Sequence, residues 1–217
     1  MIRVIRWAPG IQMIAITGSV AAGNARAEDD IDLLVVTSAN MLWVVRPLIL
    51  LLISIFFRRR LPHEDPSKSK DAFCPNLWLD QKSLILPISK RNLYTAHEVL
   101  QVIPIFDKEH TYNQFIHRNS WTKHFLANAY SAAISGYKNR HSGLGPARVL
   151  GTRGESIQIK HLISIFLIPL NHLFYLVQLL YMLPKKTSET VNLHAAFLHT
   201  NSYSENLARH LSRVKVI

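Results

Sequence analysis

The stretch TGSVAAGNARAEDDIDLLVV, residues Thr17 to Val36, decides how the rest of the chain is read. It joins two runs of one character. Ile11 to Thr17 (IQMIAIT) is apolar, rich in β-branched side chains and stopped by Gly18. Ile31 to Thr37 (IDLLVVT) has the same make-up, so both read as buried strands. The small residues between them, VAAGNARAE, allow one or two turns of helix after the Gly-Ser turn, giving strand, turn, short helix, strand. Within this unit Glu28, Asp29, Asp30 and Asp32 stand close together, although the chain carries 25 Lys+Arg against 14 Asp+Glu and a net charge of +11. Like charges this close repel, and holding them together calls for something positive.

Alternate side chains of a strand share a face, so Asp30 and Asp32 point to one side at its start while Asp29 and Ile31 point away. Hard cations such as Mg2+ are bound by carboxylate oxygens together with substrate phosphates. A pair of such ions clamps the attacking and leaving oxygens of an in-line phosphoryl displacement. Donors for the phosphates would come from backbone N–H groups after Gly18, where glycine permits close approach, and from the Ser19 hydroxyl. Gly18, Ser19, Asp30 and Asp32 thus read as one site, a phosphate cradle facing a metal-binding pair. The plain alternative is a solvated strand start. Glu28 and Asp29 are read as its solvent-facing neighbours.

The ordered set Ile16, Gly18, Ser19, a spacer, then Asp30, Ile31, Asp32 and Leu33 resembles the signature of the polymerase-beta-like nucleotidyltransferase superfamily, especially its small, minimal-type members. The later pieces FCPNLWLD, LYTAHEVLQVIPIF, NQFIHRNSW and QLLYMLPKKTSE are similar to a group of bacterial proteins known only for carrying a nucleotidyltransferase domain. What the superfamily resemblance implies is Mg2+-dependent transfer of a nucleoside monophosphate from a nucleoside triphosphate (NTP) to an acceptor hydroxyl, with two ions and with pyrophosphate leaving. It also implies a third carboxylate on a nearby strand. Asp80, at the end of AFCPNLWLD, and Asn76, of the same strand parity, compete for that place; Asp71 is a distant third. Members of the family carry helical sequence before the first strand, whereas this chain reaches its Gly-Ser turn by Gly18, which reads as a shortened form.

Outward from the motif, Met41 to Phe57 is apolar on every side except at Arg46 and is followed by Arg58, Arg59 and Arg60. It falls short of the roughly 20 residues of a membrane span, and it reads as a core helix or, alternatively, an inserted one. Arg46, a charge in an apolar helix, should reach a carboxylate or a triphosphate. Ala72 to Asp80 reads as a third strand, with Pro75 placing it at an edge or a bulge. Thr95 and Glu98 have capping-box spacing, predicting a helix from Ala96 to before Pro104, and helical patterns continue from Tyr112 to about Ile134. A basic, glycine-rich connection runs from Gly136 to Gly154; its glycines lack the pattern of a phosphate-binding P-loop. Leu162 to Leu183 is a second apolar block, long enough to span a membrane but interrupted by Pro169, Asn171, His172 and Gln178. The remainder to Ile217 reads as polar and helical.

Cys74 is the only cysteine, which excludes an internal disulfide and suits a reducing compartment. The first residues show no apolar run of a signal peptide, and the scattered histidines show no zinc spacing. Trp78, Trp121, Phe125 and Tyr130 read as core. The sequence therefore predicts an α/β (α+β) fold: a small mixed sheet forming a nucleotidyltransferase core over residues 1–105, then a helical C-terminal region over 106–217. The expected function is Mg2+-dependent nucleotidyl transfer with Asp30, Asp32 and Asp80 as metal ligands and Gly18 and Ser19 on the NTP. A catalytically degraded nucleotide-binding or membrane-associated adaptor is the rival. The acceptor, whether RNA, protein or small molecule, is not readable. The expected location is cytoplasmic, with membrane association through 41–57 or 162–183 as the alternative.

Overall fold

The computed structural model describes residue 5 and residues 8–61, 64, 69–142, 157–185 and 189–198. Its centre is a six-stranded mixed sheet. In chain order the strands are β1 (Ile11–Ile16), β2 (Ile31–Thr37), β3 (Phe73–Asp80), β4 (Ile103–Asp107), β5 (Thr190–Asn192) and β6 (Ala195–Phe197). Spatially they run β4-β1-β2-β3-β6-β5. Only β2 and β3 are parallel; every other neighbour is antiparallel. A parallel pair needs a crossover, and here α2 (Leu42–Phe56) supplies it, after the one-turn α1 (Gly18–Ala22) between β1 and β2.

Strand alternation sends the side chains of β2 to two different cores. Leu33 and Val35 pack with Trp43, Val45, Ile49 and Ile53 of α2 and with Trp78 of β3. Leu34 and Val36 pack on the other face with Leu79, Val99, Tyr112, Phe115 and Tyr130. That second face is covered by α3 (Leu93–Gln101), α4 (Thr111–Arg118) and α5 (Lys123–Ser142). On the first face the long helix α6 (Ile157–Met182) lies against α2, where Asn171 Oδ1 accepts from the Trp43 amide at 2.9 Å and Gln178 Nε2 donates to the Trp43 carbonyl at 2.8 Å. Trp43 itself stacks at a tilt on Tyr175, 5.1 Å between centroids. The result is helices on both sides of one sheet.

Several expectations are corrected by this arrangement. Pro75 marks a bulge and not an edge: β3 lies between β2 and β6, and its register on β2 shifts where Leu33 faces Pro75 and Leu34 faces Leu77. Proline has no N–H for the ladder, so a bulge is where an interior strand tolerates it. Helix α3 starts earlier than the Thr95–Glu98 spacing predicts, because Asn92 Oδ1 caps it by accepting from the Thr95 amide at 2.9 Å. Ile103–Asp107, where no strand is expected, pairs with β1. Residues 190–197, expected to be helical, form the β5–β6 hairpin that extends the sheet from β3. The glycine-rich connection beyond residue 142 and the tail beyond residue 198 lie outside the described residues.

Among the described residues Arg46 pairs with no carboxylate. Its Nη1 donates to Gln178 Oε1 at 2.7 Å, and its guanidinium lies 5.8 Å from the ring centroids of both Trp43 and Trp78. Burial lowers its pKa to about 10, helped by the charge of Arg59. Trp78 and Tyr130 are core, Trp121 is partly buried, and Phe125 is 45% exposed. No helix among the described residues is long and apolar enough to cross a membrane.

Candidate metal centre

The site begins where β1 ends. The Thr17 amide donates to the Asp32 carbonyl at 3.0 Å, tying the turn to the start of β2. Gly18 follows with φ +65°, left-handed backbone that glycine adopts without penalty. A Cβ built on Gly18 would collide with Asp32 Oδ2. Absence of a side chain at Gly18 is therefore what lets the Asp32 carboxylate press against the turn.

Asp30 and Asp32 lie on the same side of β2. Ligand atoms of Asp30, Asp32 and Cys74 all fall within 4.8 Å of one another. Cys74 arrives there through the parallel ladder, in which it is the direct partner of Asp32; residues opposite each other share a face. Its sulfur lies within 4.8 Å of a carboxylate oxygen of each aspartate. The bulge at Pro75 turns Asn76 to the same place, and its Nδ2 donates to Asp32 Oδ1 at 2.6 Å. Arg60 closes the outer side, its Nη1 bound to Asp30 Oδ2 at 2.8 Å.

Burial and crowding show in the titration of Asp32. Burial, then the neighbouring charge of Asp30, push the Asp32 pKa up to about 7, against the opposing pull of Arg60. Burial and the two carboxylates likewise push the Cys74 thiol well above its ordinary range. Two carboxylates and a thiol converging on one point form a donor set that a divalent cation fits, since its charge would relieve the repulsion that raises Asp32. Asp30 keeps a route to solvent, its side chain being 13% exposed.

Other expected residues stand elsewhere. Ser19 lies by Asp29, whose pKa is lowered by the hydrogen bond from the Arg26 amide first and by Ser19 second; Asp29 is half-buried. Asp71 lies in the turn before β3 with φ +56° and is not one of the three grouped ligands. Asp80 does not join the pair. It pairs with Thr37, and β2 separates Thr37 from Asp32 by five residues, about 16 Å of strand. It also lies on the opposite face, with Trp78 and α2, because the bulge breaks the parity that links Asp80 to Asn76 in the sequence. Fully buried, Asp80 accepts from the Asn40 amide at 3.0 Å, the Lys82 amide at 2.9 Å and His194 Nδ1 at 2.7 Å. These bonds fasten the β5–β6 hairpin to the end of β3. Among the described residues, Asn76 and Cys74 stand beside the pair and Asp80 does not.

Sequence reasoning missed Cys74 and Arg60 as members of the group. Local pattern offers no signal for either, since both reach the pair through strand register. Arg60 does so by donating its amide to the Phe73 carbonyl at 3.0 Å, which holds it beside the start of β3.

No family model matches the chain, and no curated protein matches it. Among solved structures, a toxin-antitoxin crystallised with AMP-PNP is similar over 63% of this chain and 94% of its own, at 16% identity and a TM-score of 0.32. A mutant of the toxin-antitoxin MntA-HpeT is similar over 63% and 94%, at 19% identity and a TM-score of 0.35. Likeness this loose assigns neither a fold nor an activity.

Proposed function

We propose that this chain is a nucleotidyltransferase of the polymerase-beta-like kind, transferring a nucleoside monophosphate from an NTP to an acceptor hydroxyl. The observation that carries the reading is the convergence of the Asp30 and Asp32 carboxylates beside a turn that only glycine fits. Asp30 and Asp32 would hold the divalent ions, two Mg2+ in the reading from sequence. When bound, these supply Lewis acidity and a template for an in-line displacement. The backbone after Gly18 would receive the triphosphate. In the transfer the acceptor oxygen bonds to the α-phosphorus, the bond from that phosphorus to the bridging oxygen breaks, and pyrophosphate leaves with the electron pair. The acceptor's proton passes to solvent, because no third carboxylate stands at the pair among the described residues.

A second reading is favoured by specific contacts: Arg60 occupies one oxygen of Asp30, and Asn76 Nδ2 occupies one oxygen of Asp32. Under it the chain binds nucleotide without turning it over. Incubation with α-phosphate-labelled nucleotides and cell extract separates the two. Label on an acceptor that disappears in both Asp30→Asn and Asp32→Asn supports transfer. Nucleotide binding with no labelled acceptor and no pyrophosphate supports the binding-only reading.

A further inference from the structure

Resting on the reading that Asp30 and Asp32 bind a divalent ion, we propose that Cys74 is its third protein ligand and that the site selects a first-row transition ion such as Mn2+, Co2+ or Zn2+ over Mg2+. Cys74 is fixed twice, by its pairing with Asp32 across the parallel ladder and by the Pro75 that follows, which biases Cys74 to extended backbone. Both constraints fix the backbone from which the sulfur hangs. It lies with one oxygen from each carboxylate inside a 4.8 Å group.

Chemistry then decides which cation. Mg2+ demands oxygen ligands in near-octahedral geometry and takes thiolate poorly. Thiolate favours the softer first-row ions, and the carboxylates alone would suit Mg2+ and Mn2+ alike. An O,O,S set shifts the balance toward the transition ions. Three protein ligands also leave coordination positions open for water or a phosphate oxygen. On binding, the Sγ–H bond breaks, its proton goes to solvent, and the sulfur lone pair forms the bond to the ion; nothing is oxidised or reduced. Arg60 bonds to Asp30 Oδ2, so the ion would take Asp30 through its other oxygen or displace Arg60. Asn76 holds Asp32 Oδ1 at 2.6 Å, orienting that carboxylate from behind as an outer hydrogen-bond donor orients a metal ligand.

Because Cys74 is the only cysteine in the chain, its chemistry can be followed without interference. Titration of the metal-free wild type with Co2+ should give a near-ultraviolet thiolate-to-cobalt charge-transfer band together with visible d–d bands. In Cys74→Ser the charge-transfer band should vanish and the d–d bands persist, with affinity for Zn2+ reduced at least about tenfold and affinity for Mg2+ unchanged. On the unaltered protein, Zn2+ or Mn2+ should slow modification of Cys74 by a thiol reagent, and Mg2+ should not. Cobalt d–d bands without charge transfer, with Cys74 labelled equally fast in the presence of Zn2+, would overturn the sulfur ligand and leave the aspartate site standing. Cobalt bands that survive unchanged in the Asp30→Asn, Asp32→Asn double variant would overturn both.

Discussion

Replacement of Asp32 by Asn should make the metal-free protein more stable at pH 8 and leave it unchanged at pH 3. The folded state raises the Asp32 pKa from 3.8 to about 7, with burial the largest cause. A carboxyl whose folded pKa lies above its unfolded value keeps a proton in the native state that the unfolded chain has already lost. Stability therefore falls as pH rises from about 4 to about 7, and the full cost is present above that window. A shift of about three units corresponds to about 4 kcal/mol, and the group is buried, so solvent screening reduces it little. Asn is nearly isosteric with Asp, and its carbonyl oxygen still accepts from Asn76 Nδ2. Removing the ionisation should thus raise the melting temperature at pH 8 by on the order of 10 °C for a domain of this size. Thermal unfolding of both proteins in a chelator across pH 3 to 8 measures the difference directly. Saturating divalent ion should then narrow the gap, because at a hundred times Kd binding contributes about 2.7 kcal/mol to the wild type alone. A variant equally or less stable than wild type at pH 8 would refute the claim that burial, and the charge of Asp30 after it, make the ionised Asp32 costly to the fold.

Gly18→Ala should lower stability by roughly 1–3 kcal/mol and abolish divalent-ion binding, since its Cβ meets Asp32 Oδ2 and its φ is positive; denaturant unfolding and a metal titration read the two effects. Asp80→Ala should cost about 3 kcal/mol or more, leaving the Asn40 and Lys82 amides unpaired, yet a titration should show unchanged metal affinity. Asn76→Asp places a third carboxylate beside Asp32; without metal it should unfold at a lower temperature than wild type, and with Mg2+ it should bind the ion several-fold more tightly, as calorimetry would show.

Legibility of this chain followed the range of the interactions involved. Strands β1 and β2 were readable because each is a compact apolar run bounded by turn residues, and the placement of Asp30 and Asp32 on one side needs only the two-residue period of a strand. Strands β4, β5 and β6 were not. Pro104 made the fourth look like a helix terminus, and the three-residue fifth and sixth are too short for alternation to register. Asp80 misled for a different reason. Counting by twos from Asn76 gives it the wrong face once the bulge at Pro75 intervenes, and only pairing with β2 shows that it sits with Thr37 at the far end. Arg46 likewise answers to Gln178, which is 132 residues away. The partners of the metal pair, Cys74 and Arg60, belong to the same class, set by register between strands distant in sequence.

The account stands on the divalent ion at Asp30 and Asp32, and a Mn2+ titration followed by electron paramagnetic resonance tests it without relying on any acceptor or turnover. Wild type should remove Mn2+ from the free aquo signal at a saturable site, and both Asp30→Asn and Asp32→Asn should leave that signal nearly undiminished at the same concentrations. Equal depletion by wild type and by both variants would contradict it.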